Sequence, residues 1–188
     1  LLTSKGICYG ATAMHEGEKL YLRAGAVILA NGGCGRLYAK TTNPEGAVGS
    51  GIAMAYRAGA EVMDMEFVQF HPTALAIKGC PNFLISEAVR GAGAVLRNAA
   101  GVRFMPSYHP MAELAPRDVV ARCIFKEMQA ADAGQVYLDA REIGQAAAKF
   151  PMIAQTCLEY GIDIEQEMIP VAPAAHYLCG GIKVDLDG

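Results

Sequence analysis

Tryptophan is missing from this 188-residue chain, and aromatic residues of all kinds make up only 7% of it. No Lys/Arg run occurs and the formal net charge is −3, which excludes the basic footprint of a nucleic-acid surface. The longest apolar run, around residues 24–30, falls far short of the roughly 20 residues a membrane-spanning helix needs. No signal-peptide pattern is present. The six cysteines, at 8, 34, 80, 123, 157 and 179, include no C-x-x-C pair and lack the spacing of a small secreted scaffold. Reduced, mostly buried thiols in a cytoplasmic protein are expected, with no metal and no nucleic-acid partner. The chain opens on Leu-Leu-Thr and stops at Asp-Gly directly after an apolar stretch, so both ends are expected to be cuts from something longer. A complete G-x-G-x-x-G is also missing: Gly33-x-Gly35 is followed by Tyr38 where the third glycine belongs.

What is present is an ordinary globular composition, 53% hydrophobic and 19% charged, long enough to bury one core and part of another. Residues 3–13 and 20–23 read as two strands of a hairpin across a polar turn at 16–19. The run 26–30, ending in Asn31-Gly32-Gly33, reads as a strand buried on both faces. Ligands approach the carboxyl ends of such strands, which makes Asn31, Gly32 and Gly33 candidate cofactor contacts. A helix is expected from Ile52 to about Gly59. Gly49 and Gly51 at its entrance would let a phosphate or ribose come close, or would simply form a loop-to-helix junction.

Further along, His71 precedes Pro72 and is biased toward an extended backbone. A short helix over 83–91 would place Glu87 and Arg90 on one face. A polar turn at 98–101 follows. Pro116 suits the first turn of a helix whose apolar face is Val119, Val120, Cys123, Ile124 and Met128. Residues 136–139 read as a strand, 142–160 as helix interrupted near Pro151, and 170–185 as extended and glycine-broken. The order suggests a cofactor domain with a second α+β domain inserted into it.

His71, Ser86, Glu87, Arg90, Arg117 and His176 are polar residues in apolar or glycine-rich surroundings. An arginine fork with two histidines and a hydroxyl could bind a small dicarboxylate. Plainer roles exist for each. Either histidine could be structural, Arg117 could pair with Glu113 or Asp118, and Glu87 with Arg90 could be an ordinary helical ion pair.

Glu66-Phe67-x-Gln69-Phe70-His71-Pro72-Thr73 resembles the E-F-x-Q-F-H-P-T motif of the L-aspartate oxidase and succinate dehydrogenase/fumarate reductase flavoprotein family. Thr41-Thr42-Asn43-Pro44 and Gly51-Ile52-Ala53-Met54-Ala55 precede it. Glu87-x-x-Arg90-Gly91, Arg103-Phe104-Met105-Pro106, Leu114-Ala115-Pro116-Arg117-Asp118 and Pro173-Ala174-Ala175-His176-Tyr177-x-Cys179-Gly180-Gly181 follow in the family's order. The resemblance covers almost the whole chain. Ala74-Leu75 after His-Pro-Thr, Pro116 before Arg117 and Pro-Ala-Ala-His-Tyr are similar to the aspartate-oxidising branch.

The resemblance implies an α+β substrate-capping domain at 67–175, flanked by parts of an α/β FAD-binding domain at 1–66 and 176–188. It implies FAD-dependent oxidation of L-aspartate to iminoaspartate with fumarate or oxygen as electron acceptor, in NAD biosynthesis through quinolinate, with a functional link to quinolinate synthase. By the same resemblance His71, Ser86 and His176 bind substrate carboxylates, Arg117 exchanges a proton with substrate carbon, and Glu87 with Arg90 relays it. Asn31, Gly32, Gly33, Ser50 and Gly51 fall in the cofactor segments. Ser50 stands where the family usually has Asp, and Ala92 replaces a common Glu. With the amino-terminal diphosphate-binding segment outside these residues, the chain alone is expected to bind FAD weakly or not at all and to be inactive. Two other readings remain: a fumarate reductase or succinate dehydrogenase flavoprotein, and a non-catalytic paralogue.

Overall fold

The computed structural model describes residues 1–130 and 134–186. By internal contacts the chain divides into two units, one of Leu1–Leu37, Asn43–Val68 and Tyr177–Gly188, the other of Tyr38–Thr42 and Gln69–His176. The expected segments 67–175 and 176–188 include residues 131–133 and 187–188, which lie outside the described residues.

The first unit begins with strands β1 (Leu2–Ser4), β2 (Ile7–His15) and β3 (Glu18–Arg23), an antiparallel meander in the order β1-β2-β3. The expected single strand over 3–13 is divided, because Lys5 and Gly6 take φ of 49° and 77° and turn the chain back. Glu16 and Gly17, at 47° and 83°, close the second hairpin in the same way. Two consecutive positive φ values give the tight turn whose twist matches paired strands.

The strand expected over 26–30 does not form. These residues pair with no strand among those described, and Ile28 is 91% exposed. Apolar β-branched character favours a strand only where a partner ladder and a packed face exist, and this unit gives 26–30 neither. A short 3-10 turn (Gly35–Leu37) leads to helix α1 (Ser50–Arg57), two residues earlier at each end than expected. Gly49 sits before it at φ 76°, where a side chain is disfavoured. Strand β4 (Val62–Met63) pairs antiparallel with β9 (Gly181–Ile182), the last strand of the chain.

The second unit carries a four-stranded sheet in the order β5-β8-β7-β6. Its strands are β5 (Val68–Leu75), β6 (Val95–Arg97), β7 (Val136–Asp139) and β8 (Ile169–Leu178). Between them lie helices α2 (Glu87–Gly91), α3 (Met105–Tyr108), α4 (Arg117–Ala130), α5 (Ala146–Lys149) and α6 (Pro151–Glu159). The helix expected over 83–91 is confined to its second half: Leu84 bridges Ala74, and Leu75 and Phe83 pair backbone to backbone, so 83–85 are tied to the sheet.

Pro116 lies just before α4 and its carbonyl accepts the Val120 N–H at 3.1 Å. Val120, Cys123 and Ile124 bury the inner face of that helix. The helical stretch 142–160 breaks at Phe150, which takes an extended-side conformation (φ −129°, ψ 61°) ahead of Pro151. The proline ring disfavours the helical region for the residue before it and then starts α6 well. Leu96, Ile124, Val136, Leu138, Ile169 and Val171 are central to the hydrophobic core of this unit. Of the six free cysteines, Cys34, Cys123 and Cys157 are buried and Cys179 is exposed, so the thiols are less uniformly buried than expected.

At the end of β7 the buried Asp139 carboxylate receives Arg141 Nε (2.8 Å) and Nη2 (2.9 Å) and Arg97 Nε (2.7 Å). These arginine bonds hold its carboxyl far below the usual carboxylate range, although burial opposes them. Asp139→Asn leaves two guanidinium groups without their anion. Both arginines reach solvent, so the loss is that of charge-assisted hydrogen bonds and not of a fully buried pair, and unfolding free energy should fall by roughly 1–3 kcal/mol, measured by urea denaturation near neutral pH. The folded value lies below the unfolded one, so this stabilisation is complete above about pH 4 and is lost on further acidification, narrowing the difference between variant and parent there.

Candidate active site

Strand β5 alternates, so Gln69, His71 and Thr73 share one side. Thr73 ties that strand to the 84–86 segment: its hydroxyl donates to the Ile85 carbonyl at 2.8 Å, and its carbonyl accepts the Ile85 N–H at 3.0 Å. The Thr73 N–H donates to His71 Nδ1 at 3.3 Å. An Nδ1 that accepts a backbone proton puts the ring hydrogen of the neutral imidazole on Nε2, leaving that atom as the donor. His71 is 1% exposed. Burial, with the charges of His176, Arg117 and Arg90, lowers its pKa to about 4, against an opposing effect from Glu87.

His176 lies on β8, the neighbour of β5, and its ring centroid is 5.3 Å from that of His71 at an interplanar angle of 66°. Its Nδ1 pairs with the Thr42 hydroxyl at 2.7 Å. Burial and then Arg117 lower its pKa also. Near neutral pH the unit therefore holds two neutral imidazoles side by side, neither of which carries a charge that would have to be neutralised on burial.

Arg117 opens α4. Its Nε donates to Glu87 Oε2 at 2.6 Å and its Nη1 to Gln69 Oε1 at 2.9 Å, which together fix the plane of the guanidinium. The Arg117 hydrogen bond is the first cause that holds the Glu87 carboxyl below its usual range. Arg90 Nη2 lies 3.7 Å from the same Glu87 oxygen. The Arg90 guanidinium is buried. Its Nη1 donates to the Glu113 main-chain carbonyl, while Nε and Nη2 have no hydrogen-bond partner among the described residues.

Arg117 therefore pairs with neither Glu113 nor Asp118, which are engaged by Arg103 and Arg122. Glu87 and Arg90 are not an isolated helical pair either, because Glu87 is shared with Arg117. Ser86 caps α2: its Oγ accepts the Ala88 N–H at 3.2 Å and keeps its own hydroxyl proton to donate elsewhere. Ser86, Glu87, Arg90 and Arg117 line one cavity of about 600 Å³. Gln69 and Thr42 were not singled out from sequence. Both stand inside segments already notable there, Gln69 two residues before His71 on the same strand side.

The first unit has its own cavity of about 520 Å³, lined by Asn31, Gly32 and Gly33 together with Asp64, Gly180 and Gly181. Four of its lining residues, Gly32, Gly33, Gly180 and Gly181, present main chain alone. A Cβ on Gly180 would lie 2.1 Å from the Asp64 carbonyl oxygen, and one on Gly33 would lie 3.2 Å from Leu178 Cβ. Gly51 does not line the cavity. It clears room for the Asn31 side chain, whose Cγ would be 1.7 Å from an added Cβ. Ser50 is exposed at the head of α1 and lies away from this wall. Asp64, Gly180 and Gly181 were missed as cavity residues. Their signal was the Cys179-Gly180-Gly181 sequence, where paired glycines mark a close backbone approach.

The folded pKa of His71 lies below its unfolded value of 6.5, so the unfolded chain binds more protons between that value and about pH 4. Stability should fall as pH drops through this window and be independent of His71 above it. Histidine side-chain NMR titration should give one ring that stays neutral, protonated at Nε2, until about pH 4. A His71 ring titrating near 6.5 would contradict the structure.

Compared with known proteins, residues 1–188 match the family described as FAD binding domain. The chain is 52% identical over 187 residues to the L-aspartate oxidase of Nostoc sp., covering 96% of this chain and 32% of that protein. It is 49% identical over 185 residues to the L-aspartate oxidase of Pseudomonas aeruginosa, covering 96% and 34%. Among solved structures, a quinol-fumarate reductase with menaquinol molecules superposes with a TM-score of 0.85 at 37% identity, covering 98% of this chain and 35% of that one. The chain spans about a third of the length of the curated relatives it matches.

Proposed function

The chain belongs to the FAD binding domain family, and from that premise we propose that it is part of an enzyme that oxidises L-aspartate to iminoaspartate, a step in NAD biosynthesis through quinolinate. The observation that carries this reading is the pairing of two neutral imidazoles, His71 and His176, with an arginine oriented by a carboxylate, in a chain about half identical to L-aspartate oxidases.

FAD, when bound, supplies the two-electron acceptor. The residues present fit such a group: Gly32 and Gly181, at φ 68° and 152°, keep bare main chain in the wall of the first unit's cavity, while Gly33 and Gly180 leave no room for a side chain against Leu178 and Asp64. Asn31, Gly32, Gly33 and the 180–181 pair are the residues we assign to hold it, with Gly51 supporting Asn31 and Ser50 standing apart at the head of α1. Residues 1–66 and 176–188 belong on this reading to the cofactor domain, and 67–175 to a substrate-capping domain.

His71 donates through Nε2 to one substrate carboxylate, and His176 and the Ser86 hydroxyl add directional bonds to the substrate carboxylates. A neutral His71 with its proton on Nε2 still donates there, at the lower desolvation cost of an uncharged ring. Arg117 exchanges a proton with substrate carbon. An isolated guanidinium holds its proton too tightly for that, so Glu87, in contact with Nε, and Arg90 beyond it act as the relay. Fumarate or oxygen takes the electrons in turn, and the product suits a link to quinolinate synthase.

The test is anaerobic. The longer protein, purified with its flavin, should be bleached by L-aspartate and not by succinate. Arg117→Gln should slow that bleaching by roughly 10²–10⁴ while the variant keeps its flavin. Bleaching by succinate alone assigns the chain to a succinate-oxidising or fumarate-reducing enzyme, the reading favoured by the 0.85 superposition on a quinol-fumarate reductase. A parent protein that carries no flavin would sink both.

A further inference from the structure

Glu113 is a buried carboxylate whose side chain reaches none of the proposed substrate groups, yet its main-chain carbonyl holds Arg90 Nη1. Its carboxylate is saturated. Oε1 accepts from Arg103 Nε at 3.0 Å and from the Leu96 N–H at 3.1 Å, and Oε2 accepts from Arg103 Nη2 at 2.6 Å. Burial by itself would raise the carboxyl's pKa, but these bonds outweigh it and keep the group ionised. Leu96 belongs to β6, and Arg103 is bridged to the same strand at Arg97. One side chain thus fastens a surface turn to the sheet through three hydrogen bonds.

The turn it fastens is under tension. Ala112, immediately before Glu113, takes φ 47°, a left-handed conformation that an alanine adopts only when its surroundings impose it. After Glu113 the chain runs through Leu114 and the buried Ala115 to Pro116, whose ring fixes φ, and then into Arg117. Buried Ala115 and the fixed ring of Pro116 leave little slack between the Glu113 peptide and the start of α4. The same residue sets the Arg90 guanidinium through its carbonyl and, through 114–116, the point from which Arg117 reaches Glu87 and Gln69.

Resting on the dicarboxylate-oxidising function proposed above, we propose that Glu113 and Arg103 form a positioning clamp that holds Arg90 and Arg117 on the two sides of Glu87. The clamp touches no reacting atom. It acts by keeping two cations at fixed places around one carboxylate, so its loss should appear in turnover and not in substrate affinity.

The test uses the longer enzyme with its flavin bound. Glu113→Gln keeps an acceptor for the Leu96 N–H but cannot accept both arms of the Arg103 fork. Turnover should fall by about tenfold or more, while the KM for the dicarboxylate stays within about threefold and flavin content is unchanged. Arg103→Lys, at a half-exposed position, keeps the charge without the fork and should give the same split at smaller size. It serves where Glu113→Gln fails to accumulate. Turnover within about twofold of the parent in either folded variant overturns the clamp, as does a matched loss of affinity and flavin, which would mark Glu113 as merely structural. An unmutated enzyme that no dicarboxylate reduces defeats the functional reading before any variant is made, so the two failures are distinguishable.

Discussion

The adjacency of β5 and β8 is the constraint on which the second unit depends. These strands are separated by more than ninety residues of sequence, and the β6, β7 and helical segments between them fold into the core that fixes their spacing. Long-range pairing of this kind is entropically costly and is stabilised only by the apolar packing it permits. Once made, it places His71 and His176 with ring centroids 5.3 Å apart and sets Gln69 where Arg117 can reach it.

The electrostatics follow from that packing. The histidines are kept neutral by burial near two arginines, and the one carboxylate among them, Glu87, is kept ionised by the Arg117 contact. The cluster of Glu87, Arg90 and Arg117 carries one positive charge in excess. An anionic ligand is the natural complement to such a group, and Arg90 holds Nε and Nη2 without a hydrogen-bond partner among the described residues. Stability and function make different demands here: a buried arginine with two unmatched donors is a poor way to stabilise a fold and a good way to prepare for a charged ligand.

Much of the second unit was legible in the sequence because its signals are local. The strand at 136–139, the helix entry after Pro116 and the break at Pro151 rest on propensity and proline stereochemistry, which act within a few residues. The segment 26–30 was not legible, since an apolar run becomes a strand only when a partner ladder is supplied. The 83–91 helix lost its first half to long-range pairing with Thr73 and Leu75. His71, Glu87, Arg90, Arg117 and His176 stood out by residue type and by resemblance. Gln69 and Thr42 lay inside the resembling motifs without a role and Glu113 was weighed only as a partner for Arg117, because their roles come from partners distant in sequence. Glu113 acts partly through a carbonyl, which no residue type announces.

The account is tested most directly by a crystal structure of the longer enzyme with malonate, a dicarboxylate that cannot be oxidised in the same way. Its carboxylate oxygens should lie within hydrogen-bonding distance of His71 Nε2, of the His176 ring and of the Ser86 hydroxyl. Malonate bound elsewhere, with His71, Ser86 and His176 untouched, would contradict the assignment of these residues as the dicarboxylate site.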